Sequence, residues 1–104
     1  MAFQLIVLYH HPESVAAFDK HYDETHAPIA ATLPGVRAYT VLRPAAGPSG
    51  EQPAYHLVAV LTFDDQEAFN AAMGSEAGAA AVADLANFAG AGVTMLTGPA
   101  GQVV

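Results

Sequence analysis

Two segments of this chain are apolar on both sides, and that property decides what the chain can fold into. In residues 3–9 one alternating set is Phe3, Leu5, Val7 and Tyr9, and the other contains Ile6 and Leu8. In residues 54–63 the sets are Tyr55, Leu57, Ala59 and Leu61 against Val58 and Val60. Runs this rich in β-branched and aromatic residues predict strands. A sheet with one wet face alternates apolar with polar side chains, so both faces of these strands need cover. The chain has 104 residues, room for one domain, and its predicted helices suffice for one face only. The other face calls for a second molecule, most simply a two-fold copy of the same chain. The expectation is a homodimer with facing sheets, Leu5 and Leu57 being assigned to the contact face.

Between these strands the spacing turns helical. Val15, Phe18, Tyr22, His26, Ile29 and Leu33 recur at intervals of three and four, with Asp19, Lys20, Asp23 and Glu24 between them. Pro28 disfavours helix at Ala27 and removes a donor, so this helix is expected to end or kink near His26. Pro34-Gly35 closes the segment. A second strand is predicted at 36–43, and residues 44–53 (PAAGPSGEQP) form a loop. Asp64 followed by Glu67 predicts a capping box, and Phe69, Met73, Ala77, Ala81, Leu85 and Phe88 the buried stripe of a second helix, broken near Gly74-Ser75. After Gly90–Gly92 a fourth strand is predicted at 93–97, with a structureless tail. The order β-α-β-β-α-β is the ferredoxin-like α+β plan: a four-stranded antiparallel sheet with helices on one face.

Composition narrows the partners. With 53% hydrophobic residues the chain is not a disordered segment. Three Lys and Arg against ten Asp and Glu give a net charge of −7, which argues against nucleic acid and anionic membrane surfaces. There is no cysteine, so disulfides, thiolate catalysis and thiolate metal sites are excluded. The stretch 77–92 is interrupted by Asp84 and Asn87, and no apolar run nears the roughly 18 residues of a membrane span. No basic residue precedes the first apolar run, a poor secretion signal, and the expected compartment is the cytoplasm. The junction after the first strand reads YHHPES, without the glycine-rich turn of a dinucleotide site. His10, His11, His21 and His56 lack metal-ligand spacing, and adjacent histidines on a strand point to opposite faces. Neither metal nor cofactor is expected.

The segment FDKHYDETHAPIAATLPGVRAY resembles the EthD family of the dimeric α/β-barrel superfamily. Phe18, Tyr22, Thr25-His26-x-Pro28, Leu33-Pro34-Gly35 and Tyr39 carry the resemblance, with Asp84 and Phe88 in the stretch ADLANFAGAGVTMLTG. It covers residues 1–99, which are taken as one EthD-like domain, with 100–104 as a tail. The resemblance implies a homodimer and a small apolar pocket with a histidine. It also implies chemistry on a small hydrophobic ring or carbonyl compound, in catabolism or secondary metabolism. Members carry an oxidoreductase label, and similar proteins act as isomerases or decarboxylases.

His26 is the first candidate: on the apolar stripe beside the sheet, a desolvated imidazole stays neutral, as a general base requires. The alternative is a buried histidine bonded to a backbone carbonyl, propping the helix end. Tyr39, brought back by the Pro34-Gly35 turn, is placed beside His26 to donate to a carbonyl or enolate oxygen, or else is a core aromatic. Tyr22, Phe18 and His56 are assigned to substrate binding, His56 sharing a strand face with Val58 and Val60. Asp84 reads as a solvated or capping carboxylate, and Arg37 and Arg43 as surface salt-bridge partners, the alternative being that they attract an anionic substrate. The competing function is non-catalytic: binding a hydrophobic metabolite, or serving as an accessory subunit.

Overall fold

The computed structural model describes residues 1–104. Strands β1 (Ala2–Tyr9), β2 (Ala38–Leu42), β3 (Leu57–Phe63) and β4 (Val93–Ala100) form one antiparallel sheet in the order β2-β3-β1-β4. Helix α1 (Val15–His21), a π-helical turn (Tyr22–His26), α2 (Ala27–Ala30), α3 (Gln66–Met73) and α4 (Glu76–Phe88) complete the fold. This is the ferredoxin-like α+β arrangement.

Register decides which strand face lies under the helices. Phe3, Leu5, Val7 and Tyr9 stand opposite Phe63, Leu61, Ala59 and Leu57, and all eight are buried. This set carries the bulky Phe3, Tyr9 and Phe63, which fill the volume beneath the helices. Leu5 and Leu57 therefore belong to the core and not to the uncovered face, correcting the assignment made from alternation. The uncovered face carries Ile6, Leu8, Val58 and Val60, flanked by Leu42 and Leu96, which are 58% and 55% exposed. Alternation reports that two faces exist, but not which one the helices choose.

Ser14 caps α1, its hydroxyl accepting from the Ala17 N–H at 3.2 Å. The helix does not end at His26. Ala27 keeps helical angles (φ −59°, ψ −42°) and its N–H donates to the Tyr22 carbonyl five residues back. The wider π turn accommodates Pro28, whose ring would otherwise crowd the carbonyl four residues before it. It also shifts the buried stripe. Phe18, Tyr22, His26, Ala30 and Leu33 are buried, whereas Val15 is 50% exposed and Ile29 only half-buried. Gly35, at φ +77°, makes the turn that Pro34-Gly35 predicts.

Other boundaries move for local reasons. Asp65, not Asp64, caps α3, accepting from the Ala68 N–H at 2.8 Å, because Asp64 is held by Arg37. β3 begins at Leu57, so Tyr55 and His56 precede it, and β2 is shorter than predicted. β4 continues through Gly98 and Pro99, which pair with Gln4 and Phe3; an edge strand tolerates proline because one side of it needs no donor.

The break at Gly74-Ser75 is real, with Ser75 capping α4 by accepting from the Gly78 N–H at 3.1 Å. Gly78 is buried at this corner, and a β-carbon there would lie 2.4 Å from the Ala72 carbonyl oxygen and 2.7 Å from that of Met73. Both obstacles are backbone. In an open helix, glycine to alanine stabilises by up to about 1 kcal/mol. Here Gly78→Ala is expected to destabilise by about 1–3 kcal/mol through overpacking. At about 4–8 °C of melting temperature per kcal/mol for a domain of this size, thermal circular dichroism reads the sign directly, and a raised melting temperature would contradict the packing described.

Candidate functional site

The π turn and α4 bring together residues far apart in the sequence. Tyr22 and His26 project inward from the turn, Asp84 from α4 and Tyr9 from the end of β1, and all four are buried. Asp84 Oδ2 lies 2.9 Å from His26 Nδ1, and His26 Nε2 lies 3.3 Å from the Tyr9 hydroxyl. A carboxylate can only accept, so Nδ1 carries the imidazole proton. Nε2 is then the lone-pair nitrogen, and the Tyr9 hydroxyl donates to it. On its other side Asp84 accepts from His21 Nε2 (2.9 and 3.1 Å) and from Asn87 Nδ2 (3.0 Å). One buried carboxylate thus ties α4 to two points of the first helical segment.

Desolvation holds the His26 pKa below its ordinary 6.5, outweighing the upward pull of the hydrogen bond and charge of Asp84; the His21 imidazole adds to the lowering. Burial alone would raise the Asp84 pKa, but hydrogen bonds from Asn87, His21 and His26 prevail and hold it below its ordinary 3.8. Burial raises the phenols of Tyr9, Tyr22 and Tyr39, most of all Tyr22, which also bonds to Tyr39. All three are protonated donors at neutral pH.

These groups border a cavity of about 150 Å³ between helices and sheet, otherwise walled by apolar side chains such as Leu5, Leu61, Met73 and Leu85. Tyr9, Tyr22, His26 and Tyr39 all line it. Tyr39 does not bond to His26, as proximity in the sequence suggests; its hydroxyl pairs with that of Tyr22, and Tyr9 takes the place beside His26. Phe18 is a core aromatic, its ring 5.4 Å from Tyr9 and 5.1 Å from Phe88, and it does not line the cavity. Nor does His56. Its ring sits edge-on to Phe18 at 5.0 Å and bonds Asp19 at 2.8 Å, so it faces the helices and not the strand face of Val58 and Val60.

The remaining histidines are dispersed, His10 on the Thr94 hydroxyl and His11 on the Pro53 carbonyl, and no three His, Asp or Glu side chains are grouped to hold a metal ion. Arg37 pairs with Asp64, and Arg43 with Asp19 and Asp23, as surface ion pairs.

Tyr9 and Asp84 are the site residues that sequence reasoning passed over. Asp84 lies three residues after Ala81 and four before Phe88, on the buried stripe itself, where a carboxylate demands partners. Tyr9 falls in the buried alternation of β1, and a buried phenol likewise needs one.

Fold and site define a ferredoxin-like domain with a histidine-bearing apolar cavity. The EthD domain matches residues 10–92, and the chain belongs to the EthD family. It is 37% identical over 98 residues to an 11.0 kDa protein of the thcB–thcC intergenic region of Rhodococcus erythropolis, covering 90% of each chain. It is similar to an EthD family protein of Bacillus halodurans C-125 (38% identity, TM-score 0.89, 96% of this chain and 99% of that one). An EthD-like protein of Ralstonia eutropha JMP134 follows at 28% identity, TM-score 0.73, and 99% and 93% coverage. The fold alone is shared with a dimeric ferredoxin-like protein of Thermobifida fusca (16%, TM-score 0.69, 93% and 89%) and with SnoaB, a cofactor-independent oxygenase of Streptomyces nogalater (19%, TM-score 0.68, 99% and 95%).

The depressed His26 pKa has a consequence for stability. As pH falls through about 6.5 the unfolded chain takes up this proton more readily than the folded chain, so the unfolded state binds more protons and stability falls as pH falls. The contribution of Asp84, whose folded pKa is also depressed, is lost only below its ordinary 3.8. Urea midpoints measured from pH 7 to 5 are therefore expected to fall more steeply for the native protein than for His26→Gln. Equal slopes would place a charged or solvated His26 in the folded state.

Proposed function

We propose that the cavity binds a small hydrophobic ring or carbonyl compound and that His26 acts on it as a general base, without a cofactor. The observation carrying this reading is the line Asp84–His26–Tyr9 ending at the wall of an otherwise apolar cavity. A cavity of about 150 Å³ is of the size that accepts benzene, so the space suits one ring. Asp84 orients the imidazole and stabilises the imidazolium that proton abstraction creates. The Tyr9–His26 bond, at 3.3 Å, is at the long end of the hydrogen-bond range, so an acidic ligand proton can take the phenol's place at Nε2. In the step so formed, Nε2 takes a proton from the carbon next to a carbonyl, the C–H pair moves into a C=C bond, and the carbonyl oxygen gains the negative charge. The Tyr22–Tyr39 hydroxyl pair donates to that oxygen. Return of the proton to the same or another carbon gives exchange or isomerisation, chemistry of the isomerase kind rather than a net oxidation.

The competing reading, a binding protein without catalysis, draws support from both His26 nitrogens already having partners in the protein. One assay separates the two. Exchange of α-hydrogens of cyclohexanone and δ-valerolactone in deuterium oxide, followed by proton NMR, is expected to be accelerated by the native protein. His26→Gln is expected to lower that acceleration by about a hundredfold or more, with its melting curve still cooperative. Binding without accelerated exchange in the native protein would favour the non-catalytic reading.

We infer further that the chain is a homodimer joined through the uncovered sheet face. Ile6, Leu8, Val58, Val60, Leu42 and Leu96 give that face an apolar centre reaching all four strands, with Gln4, Thr40, Thr62 and Thr94 around it, and an apolar patch rimmed by polar residues marks an interface. The Thermobifida fusca protein of the same fold is described as dimeric. Sedimentation equilibrium at micromolar concentration is expected to give twice the 10.7 kDa chain mass, and Leu96→Asp, at an exposed site, to give a folded monomer. A native protein sedimenting as a monomer would contradict the interface.

A further inference from the structure

We infer that the ligand of this cavity is uncharged, carries one oxygen acceptor that binds the Tyr22–Tyr39 hydroxyl pair, and enters between α4 and the edge strand β4. The inference rests on the cavity being the ligand site proposed above, and it adds charge, the limit to one acceptor at that hydroxyl pair, and route.

Charge comes first. Only three Lys and Arg side chains exist in the chain: Lys20, Arg37 and Arg43. Arg37 is engaged by Asp64, Arg43 by Asp19 and Asp23, Lys20 is on the outer side of α1, and none of the three lines the cavity. The one basic group that does line it is His26, and directly behind that ring, at 2.9 Å, lies the Asp84 carboxylate. A carboxylate or phosphate entering here would lose its water, meet no fixed cation and sit near a buried negative charge.

The anchor follows from counting protons. Tyr22 and Tyr39 bond hydroxyl to hydroxyl. One of them donates, so one hydroxyl proton of the pair remains free. Both side chains line the cavity, and burial keeps both phenols protonated. That single proton matches a ketone, lactone or phenol oxygen and leaves a second polar group on the ligand unsatisfied. Tyr9 adds none as long as its proton goes to His26, the arrangement in which the ligand first binds.

The route is set by exposure. Most of the lining is buried or half-buried, and the exposed members are Val82 on α4 with Met95 and Thr97 on β4, the first two being 57% and 46% exposed. The mouth is therefore uncharged and mainly apolar, with the Thr97 hydroxyl as its polar group, lying along the sheet edge rather than on its uncovered face. A dimer joined through that face leaves it open.

Three probes of one ring size test this by NMR titration of the methyl resonances of Leu5, Val7 and Leu85 at pH 7.5: benzene, cyclohexanone and cyclohexanecarboxylate. Benzene and cyclohexanone are expected to shift these methyls, with cyclohexanecarboxylate binding at least about a hundredfold more weakly than the ketone. The double variant Tyr22→Phe/Tyr39→Phe, which removes both hydroxyls of the pair, is expected to weaken cyclohexanone about tenfold, the size of one modest hydrogen bond, and to leave benzene unchanged. A carboxylate binding within a hundredfold of the ketone, or a ketone indifferent to loss of both hydroxyls in Tyr22→Phe/Tyr39→Phe, overturns the inference while the cavity remains a ligand site. If no probe shifts the methyls, the cavity is not the ligand site and the inference fails with it.

Discussion

The geometry of the site depends on one buried carboxylate. Asp84 is 6% exposed, yet it accepts from His26, His21 and Asn87, and those bonds hold it ionised where burial alone would favour the neutral acid. Its position on α4 and theirs on the first helical segment make it a cross-tie between two helices. It also fixes the proton of His26 on Nδ1 and so turns the basic Nε2 toward Tyr9 and the cavity. Exchanging Asp84 for an apolar residue would leave two imidazole donors facing each other across a dry gap. The orientation of the histidine is thus a consequence of the packing of α4.

The cavity has a related origin. The face of α4 turned to the sheet has small residues at Ala77 and Ala81, with larger ones at Leu85 and Phe88. Close packing at the α3–α4 corner, where Gly78 meets the Ala72 and Met73 carbonyls, fixes one end of the helix, and the Asp84 tie fixes the other. Between them the small side chains do not fill the space above Leu5 and Val7. Protein interiors are close-packed as a rule, so a void beside a buried imidazole and three phenols is a specialised place in a small fold.

Much of the fold could be read from the sequence because it rests on local rules. Strand alternation, the Gly-Ser break and the Pro-Gly turn act over a few residues, and they gave the correct element order. What escaped was either a choice between symmetric possibilities or a contact between distant positions. Both faces of β1 are apolar, and only the chain's three-dimensional course tells which one receives the helices. The π turn is hidden because a spacing of four residues, 18-22-26-30, also suits an ordinary helix. Of the site, His26, Tyr22 and Tyr39 were visible through the helical stripe and the turn. The pairing of His26 with Asp84 spans 58 residues, which no spacing rule reaches, although the place of Asp84 on a buried stripe was a sign that partners must exist. His56 was misplaced by one boundary: the strand predicted from residue 54 starts at Leu57, and the freed side chain turns to Asp19.

The central claim is that Asp84 fixes a neutral His26 with its proton on Nδ1 and its lone pair directed into the cavity wall. Long-range proton–nitrogen correlation spectra of the nitrogen-15-labelled protein at pH 7 report this directly, since protonated and lone-pair ring nitrogens resonate far apart. The account predicts a protonated Nδ1 and an unprotonated Nε2 for His26, with this assignment lost in Asp84→Ala. An Nε2-protonated ring, or an imidazolium at neutral pH, would contradict it.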